Sequence, residues 1–155
     1  MIKMGGLELK VPPPFVALIV CALMWLANHL MGGGLAFGST IYAGVILMAA
    51  GFALAFTGLR TLIGNRTTPS PINIDRAKTL VTTGLYRFSR NPMYLGMVIV
   101  LIGLAALFGN LWLLVGPLAF ALYINRFQIK PEEQMMAAKF GSDYAGYKSR
   151  VRRWI

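Results

Sequence analysis

Polar residues suited to ligand binding cluster at two points of the sequence, residues 86–96 and residues 126–133. The first point combines tyrosine hydroxyls, the amide of Asn91 and Gly96, a residue that permits the close approach of a helix or a ligand. The second point contributes the carboxylate of Glu132. Hydroxyl, amide and carboxylate groups suit a polar cofactor that carries hydroxyls and an ammonium group. If the fold brings the two points together, the sequence therefore predicts a binding site for such a cofactor. The charge pattern described below places this site at the surface of a membrane.

Each point also has an explanation that needs no ligand. Tyr86, Arg87 and Arg90 are typical of the aromatic and basic belt at a membrane surface. Glu132 and Glu133 are predicted in the first turn of a helix, where negative charge interacts favourably with the helix dipole. On these residues alone, both explanations stay open.

The charge pattern identifies the elements that must position these residues. All 15 Lys and Arg residues fall in three stretches, 1–14, 60–91 and 126–155, and the segments 15–59 and 92–125 contain no Lys, Arg, Asp or Glu. Since a helix needs about 20 apolar residues to cross the hydrocarbon core, each uncharged segment is long enough to cross a membrane twice. In membrane proteins, Lys- and Arg-rich segments next to the transmembrane helices are retained on the cytoplasmic side. We therefore expect a multi-pass protein of the inner cell membrane with both termini cytoplasmic.

Glycines divide each uncharged segment into two helices. A glycine run at residues 32–34 interrupts the first segment, and residues 109–110 form a tighter turn in the second. We predict an all-α integral membrane protein that forms one domain over residues 1–155 and has four transmembrane helices. The spans are expected at about 14–31, 40–60, 92–108 and 111–129. The last two are expected to form a closely packed hairpin, and a short cytoplasmic helix is expected to follow a break at Pro131.

Two further patterns concern helix packing and helix starts. Gly44, Gly51 and Gly58 recur every seven residues and so lie along one stripe of the second span, where small residues indicate a packing seam. Asn91 followed by Pro92 indicates the start of the third span. The Asn side chain is expected to cap the exposed amides, and Pro fits the first helical position.

The composition excludes several function classes. The net charge of +10 is carried by residues just outside the spans, which favours anionic lipid headgroups as partners and disfavours nucleic acid. Cys21 is the only cysteine and His29 the only histidine, so neither a disulfide nor a metal site is expected. A small multidrug exporter needs an ionisable residue inside the membrane to couple transport to protons, and His29 is the only candidate in the spans. The composition therefore argues against a transporter.

Three motifs of the chain resemble the isoprenylcysteine carboxyl methyltransferase and phospholipid methyltransferase superfamily, and its small prokaryotic members in particular. They are LVTTGLYRFSRNPMYLG at residues 80–96, Pro-Glu-Glu at residues 131–133 and residues 140–153, in the order and spacing of the family. The similarity covers about residues 66–154, the expected cofactor-binding part. The resemblance implies an integral membrane methyltransferase that uses S-adenosylmethionine and takes a lipid or another lipophilic small molecule from the bilayer.

The same resemblance assigns site residues. The expected cofactor site contains Lys78, Thr79, Leu80, Val81, Tyr86, Asn91, Pro92, Met93, Tyr94 and Glu132. Tyr94 and Arg90 are the candidate catalytic residues, and Gln128 and Arg126 are the candidate substrate-binding residues. The chain departs from the eukaryotic pattern twice: Asn91 stands where those enzymes have His, and Gln128 stands where they have Arg.

The second departure bears on the acceptor. An Arg binds a substrate carboxylate bidentately and a Gln does not, so farnesylcysteine is expected to be a poor acceptor and Gln128→Arg to improve its use. Fatty, phospholipid-headgroup and thiol acceptors stay open. Two other functions stay open as well, a membrane NADPH-dependent sterol-type reductase and a non-catalytic lipid-binding protein. The short length of the chain and its Pro-Glu-Glu run favour the methyltransferase.

Overall fold

The computed structural model describes residues 9–64 and 79–155, and every regular element in these two ranges is helical. The main helices are α1 Pro13–Leu30, α2 Ser39–Gly64, α3 Pro92–Phe108, α4 Val115–Ile124 and α5 Lys130–Arg150. Short 3-10 turns cover Gly84–Arg87 and Leu111–Leu114, and a π-helical turn covers Asn125–Ile129. The all-α membrane fold predicted from the charge pattern is confirmed.

Several of these helices are suited to cross a membrane. Within the described ranges, α1, α2 and the continuous helical stretch Leu111–Arg150 are long and apolar enough. The apolar helix α3 is shorter, with 17 residues. At 1.5 Å per residue it still extends about 25 Å, close to the thickness of a hydrocarbon core. The chain is therefore a multi-pass membrane protein.

The glycine stripe of α2 faces α3, so the predicted packing seam is confirmed. Gly44, Gly51 and Gly58 are the buried residues of α2. A Cβ atom added at Gly51 would lie 2.6 Å from the carbonyl oxygen of Gly96, and one at Gly58 would lie 3.0 Å from the Met93 side chain. Since glycines of both helices meet in this seam, α3 packs more extensively on α2 than on its hairpin partner α4.

The break predicted at Pro131 takes the form of the π-helical turn, through which α4 continues into α5. Pro131 has no N–H to offer the carbonyl of Phe127 four residues earlier. That carbonyl accepts a hydrogen bond from the backbone N–H of Leu9 at 3.1 Å. With 21 residues, α5 is longer than the short helix expected, and it kinks at Gly141, where φ is 50° and ψ is −120°.

Two hydrophobic clusters hold these elements together. The main one includes Leu101 of α3 and Phe120 of α4, both fully buried, and it also contains Tyr94. The second joins Tyr144 and Tyr147 of α5 to the segment before the 3-10 turn at Gly84–Arg87. The first cluster lies among the apolar helices that are suited to cross a membrane. The second cluster attaches the polar half of α5 to one end of this apolar part.

Candidate functional site

The two points predicted from the sequence meet at Tyr94 and Glu132. The Tyr94 hydroxyl donates a hydrogen bond to Glu132 Oε1 at 2.6 Å. Tyr94 lies in the first turn of α3 and Glu132 in the first turn of α5, beyond Arg126, where the apolar run of this helix ends. Burial raises the pKa of Glu132 to about 7; the hydrogen bond from Tyr94 lowers it and the charge of Glu133 raises it further.

Glu133 has different surroundings from its neighbour. Arg90 Nη2 lies 2.8 Å from Glu133 Oε1, and Arg153 binds both carboxylate oxygens, at 3.0 Å from Nε and 2.6 Å from Nη2. Burial raises the pKa of Glu133, but the hydrogen bond from Arg153 and the charge of Arg90 outweigh it, so this pKa lies below its usual value. Of the two adjacent carboxylates, Glu133 is thus paired with two arginines and has a lowered pKa, whereas Glu132 is buried and has a raised pKa.

The C-terminal tail after α5 binds the residues that precede α3. The backbone N–H of Arg90 donates to the Arg152 carbonyl at 3.0 Å, and Asn91 Nδ2 donates to the Arg153 carbonyl at 3.0 Å. The Asn91 side chain therefore holds the tail and makes no capping hydrogen bond, contrary to the sequence prediction. The reason is that the Arg153 carbonyl offers the amide a partner from outside the helix. Arg90 and Asn91 form part of the structural support of the site.

Sequence reasoning missed the role of Arg153. This residue lies in the third motif of the resemblance, and that motif was the only signal for it. Its Nη1 also donates to Asn125 Oδ1 at 2.9 Å, so one guanidinium joins the π-helical turn, Glu133 and the tail. An ion pair between residues 20 positions apart has no helical spacing that a sequence pattern could reveal.

Tyr86 is buried in its 3-10 turn beside the Tyr94–Glu132 pair. The hydroxyl of Tyr147 donates to the Tyr86 carbonyl at 2.7 Å and so attaches α5 to this turn. Burial raises the pKa of Tyr86, and the charges of Tyr147 and Glu132 add to the increase. Tyr86 thus binds Tyr147 of the second hydrophobic cluster and lies near enough to Glu132 to be affected by its charge.

A groove of about 590 Å³ opens on the other side of Tyr147. Of the predicted cofactor residues, Thr79 and Leu80 line it, while Val81 is buried and does not belong to its lining. Lys78 lies outside the described residues. The volume falls within the range of about 300–1,000 Å³ that is usual for small-molecule sites.

Of four other predicted residues, three lie in packed or covered positions and one is exposed. Pro92 and Met93 pack against Gly58 in the α2–α3 seam. Gln128 is fully buried, and its Nε2 donates to the Val11 carbonyl at 2.7 Å. Its Oε1 has no hydrogen-bond partner within residues 9–64 and 79–155. Arg126 is exposed, and its guanidinium carbon lies 5.5 Å from the centroid of the Phe127 ring.

The comparisons with known proteins indicate a methyltransferase family. Residues 39–143 match a family model described as phospholipid methyltransferase. The chain is 41% identical over 63 residues to an uncharacterized protein of Haemophilus influenzae, which covers 41% of this chain and 100% of that protein. It is 36% identical over 75 residues to the protein-S-isoprenylcysteine O-methyltransferase of Schizosaccharomyces pombe, which covers 46% of this chain and 30% of the yeast protein.

A solved structure shares the fold. The eukaryotic intramembrane Ras methyltransferase ICMT, the isoprenylcysteine carboxyl methyltransferase, superimposes with a TM-score of 0.63 at 21% identity. The alignment covers 94% of this chain and 53% of that one. The chain thus spans about half of the solved structure and about a third of the yeast enzyme.

Proposed function

Because the chain belongs to the phospholipid methyltransferase family, we propose that it transfers a methyl group from S-adenosylmethionine to a lipophilic acceptor at the cytoplasmic face of the membrane. The family and the multi-pass fold support a membrane methyltransferase. The donor, the acceptor class and the membrane face are our proposal. The observation that carries it is the contact between the Tyr94 hydroxyl and the buried carboxylate of Glu132 at 2.6 Å.

Glu132 is the group that we propose binds the ammonium group of the donor. Its carboxylate is removed from bulk water and has a pKa of about 7, so a cation that arrives beside it favours the ionised form. Glu133 does not compete for this role, because Arg90 and Arg153 already hold it. Among residues 9–64 and 79–155, Glu132 has no cationic partner, whereas its neighbour Glu133 is fully paired. This difference fits the binding of a small organic cation at Glu132.

Orientation and exclusion of water are the main tasks of the protein in this reaction. S-adenosylmethionine supplies a methyl group that its sulfonium already activates. The chain contributes a fixed Tyr94, whose ring belongs to the main hydrophobic cluster while its hydroxyl contacts Glu132. This one side chain thereby links the apolar interior to the polar site. An acceptor with an apolar chain and a polar head suits such a boundary, and precise positioning there supplies much of the rate.

The polar head of the acceptor stays open between carboxylate, thiol and phospholipid headgroup chemistry. We propose that the exposed Arg126, at the cytoplasmic end of the last span, binds an acidic headgroup. For Gln128 we propose an indirect effect on the acceptor, since its amide holds the Val11 carbonyl and so fixes the segment that precedes α1.

A pair of conservative substitutions tests this proposal. Glu132→Gln should weaken the binding of S-adenosylhomocysteine by about 1–3 kcal/mol, which is about 5-fold to 150-fold, because it removes a charge-assisted hydrogen bond. Glu133→Gln should lower the melting temperature in detergent and change the affinity of the folded protein much less. Calorimetric titration below the melting temperature of each variant measures both affinities. Equal losses at both positions, or no loss at either, would contradict the proposed role of Glu132.

A further inference from the structure

Residues 9–12, which precede α1, form a strap that is bound to the π-helical turn after α4. The backbone N–H of Leu9 donates to the Phe127 carbonyl at 3.1 Å, and the Val11 carbonyl accepts from Gln128 Nε2 at 2.7 Å. The Leu9 side chain is buried, and Val11 packs against the main hydrophobic cluster. The strap therefore contributes to the cover over Gln128, which is fully buried.

The closed strap contains two unfavourable features. Leu9 has a φ of 58°, a left-handed conformation that is uncommon for a residue with a side chain. Gln128 Oε1 is buried without a hydrogen-bond partner among the residues that the structure describes, and an unpaired buried acceptor costs free energy. Opening of the strap would relieve both features, because Leu9 could relax and Oε1 could reach a donor.

Burial of the Leu9 side chain opposes this opening. The exposed fraction of Leu9 is 4%, so most of its apolar surface returns to water when the strap lifts. The two hydrogen bonds to the π-helical turn are lost as well. A small set of favourable contacts, opposed by two unfavourable features, is typical of an element that opens locally while the rest of the fold stays intact.

An open strap uncovers a polar amide close to the Tyr94–Glu132 pair. Gln128 precedes Glu132 by four residues in the continuous helical stretch Leu111–Arg150, and four residues rise about 6 Å along a helix. The amide has a donor that now binds the Val11 carbonyl and an acceptor that is unpaired. A hydroxyl could replace the carbonyl and also pair the acceptor, since it both accepts and donates. An ionised carboxylate or a phosphodiester only accepts.

We propose that the strap opens and closes over Gln128 as one unit, and that its open state receives a hydroxyl-bearing lipid head group on the Gln128 amide. The inference rests on the proposed function for the lipophilic nature of the molecule that enters. In the closed state Gln128 acts on the acceptor only by fixing the segment before α1, and the open state adds a direct contact. The strap precedes residues 39–143, which match the family model.

Hydrogen exchange, resolved by NMR on the full chain in bicelles of zwitterionic lipid, measures the opening. The Leu9 backbone amide and the Gln128 side-chain amide should have the same opening constant, because both hydrogen bonds break in one event. Leu9→Ala should increase both constants by about 10-fold to 100-fold, since it removes the buried anchor. Lys10→Ala, the matched control at the exposed neighbouring position, should change them by less than about 2-fold.

Exchange of the Leu9 amide while the Gln128 amide stays protected would indicate a frayed segment and would overturn the inference. A pair of anionic lipids then tests the head group. Phosphatidylglycerol carries two hydroxyls, and phosphatidylethanol has the same charge and none. Phosphatidylglycerol added to the bicelles should speed the exchange of the Leu9 amide and shift the side-chain resonances of Gln128, whereas phosphatidylethanol should do neither.

Equal effects of the two lipids, or no effect of either, would also overturn the inference. Opening of the strap does not require the methyl donor, so each of these failures leaves the proposed function intact. A protein whose strap responds as described but which does not bind S-adenosylhomocysteine would contradict the proposed function and not the strap.

Discussion

The α2–α3 seam gives the clearest structural prediction. In Gly51→Ala, the new methyl group would lie 2.6 Å from the Gly96 carbonyl oxygen and 2.8 Å from the Val100 amide nitrogen. Ordinary contacts begin at 3.4 Å, so the helices must separate by roughly 0.8 Å. No rotamer change relieves a contact with backbone atoms. Overpacking costs about 1–3 kcal/mol and alanine regains up to about 1 kcal/mol of helix propensity, so we expect a net loss of about 1–2 kcal/mol.

Thermal unfolding in detergent measures this loss, which corresponds to a decrease of about 2–8 °C in Tm for a chain of this size. Gly64→Ala is the matched control, because it lies in the same helix and a Cβ there meets no atom within 4 Å. Since Tyr94 precedes Gly96 by two residues, the separation also moves Tyr94, and Gly51→Ala should bind S-adenosylhomocysteine more weakly. Equal melting temperatures for the two variants would refute the seam as a close backbone contact.

Three other predictions concern the site and the topology. Arg153→Met should lower the stability by about 2–3 kcal/mol in thermal unfolding, because Glu133 then keeps one arginine partner; an unchanged Tm would contradict this. The affinity for S-adenosylhomocysteine should rise as the pH increases from about 6 to about 7, by up to about tenfold, because Glu132 must lose its proton to bind an ammonium group; Glu132→Gln should abolish the dependence, and a flat profile for the unmodified protein would exclude this role. A cysteine placed at Ser39 in a cysteine-free background should react with an impermeant reagent in intact cells, and labelling only after lysis would reverse the topology.

Much of the fold could be predicted because a membrane restricts the possible structures. Uncharged segments of sufficient length must be helical there, since every backbone polar group needs a partner inside its own segment. The spacing of Gly44, Gly51 and Gly58 predicted a seam, although not the helix that fills it. The meeting of Glu132 with the start of α3 followed from the hairpin, which brings the two chain segments to the same membrane face.

Contacts made by polar side chains over long sequence distances could not be predicted in this way. The expected cap at Asn91 was wrong because a carbonyl of the C-terminal tail competes for its amide. The substrate contact of Gln128 stays a prediction, but nothing in the sequence pattern indicated that its amide binds the carbonyl of Val11. An Arg at position 128 would place a cation in the fully buried position of Gln128, so we expect the substitution to affect folding before it affects the acceptor.

The cofactor that the protein binds tests the central claim most directly. Calorimetric titration of the full chain in detergent with S-adenosylhomocysteine, and separately with NADPH, compares the donor that we propose with the cofactor of a sterol-type reductase. We expect saturable binding of S-adenosylhomocysteine and none of NADPH. Binding of NADPH alone would indicate a reductase, and the absence of binding to both would indicate a non-catalytic protein; either result contradicts a methyl-transfer function.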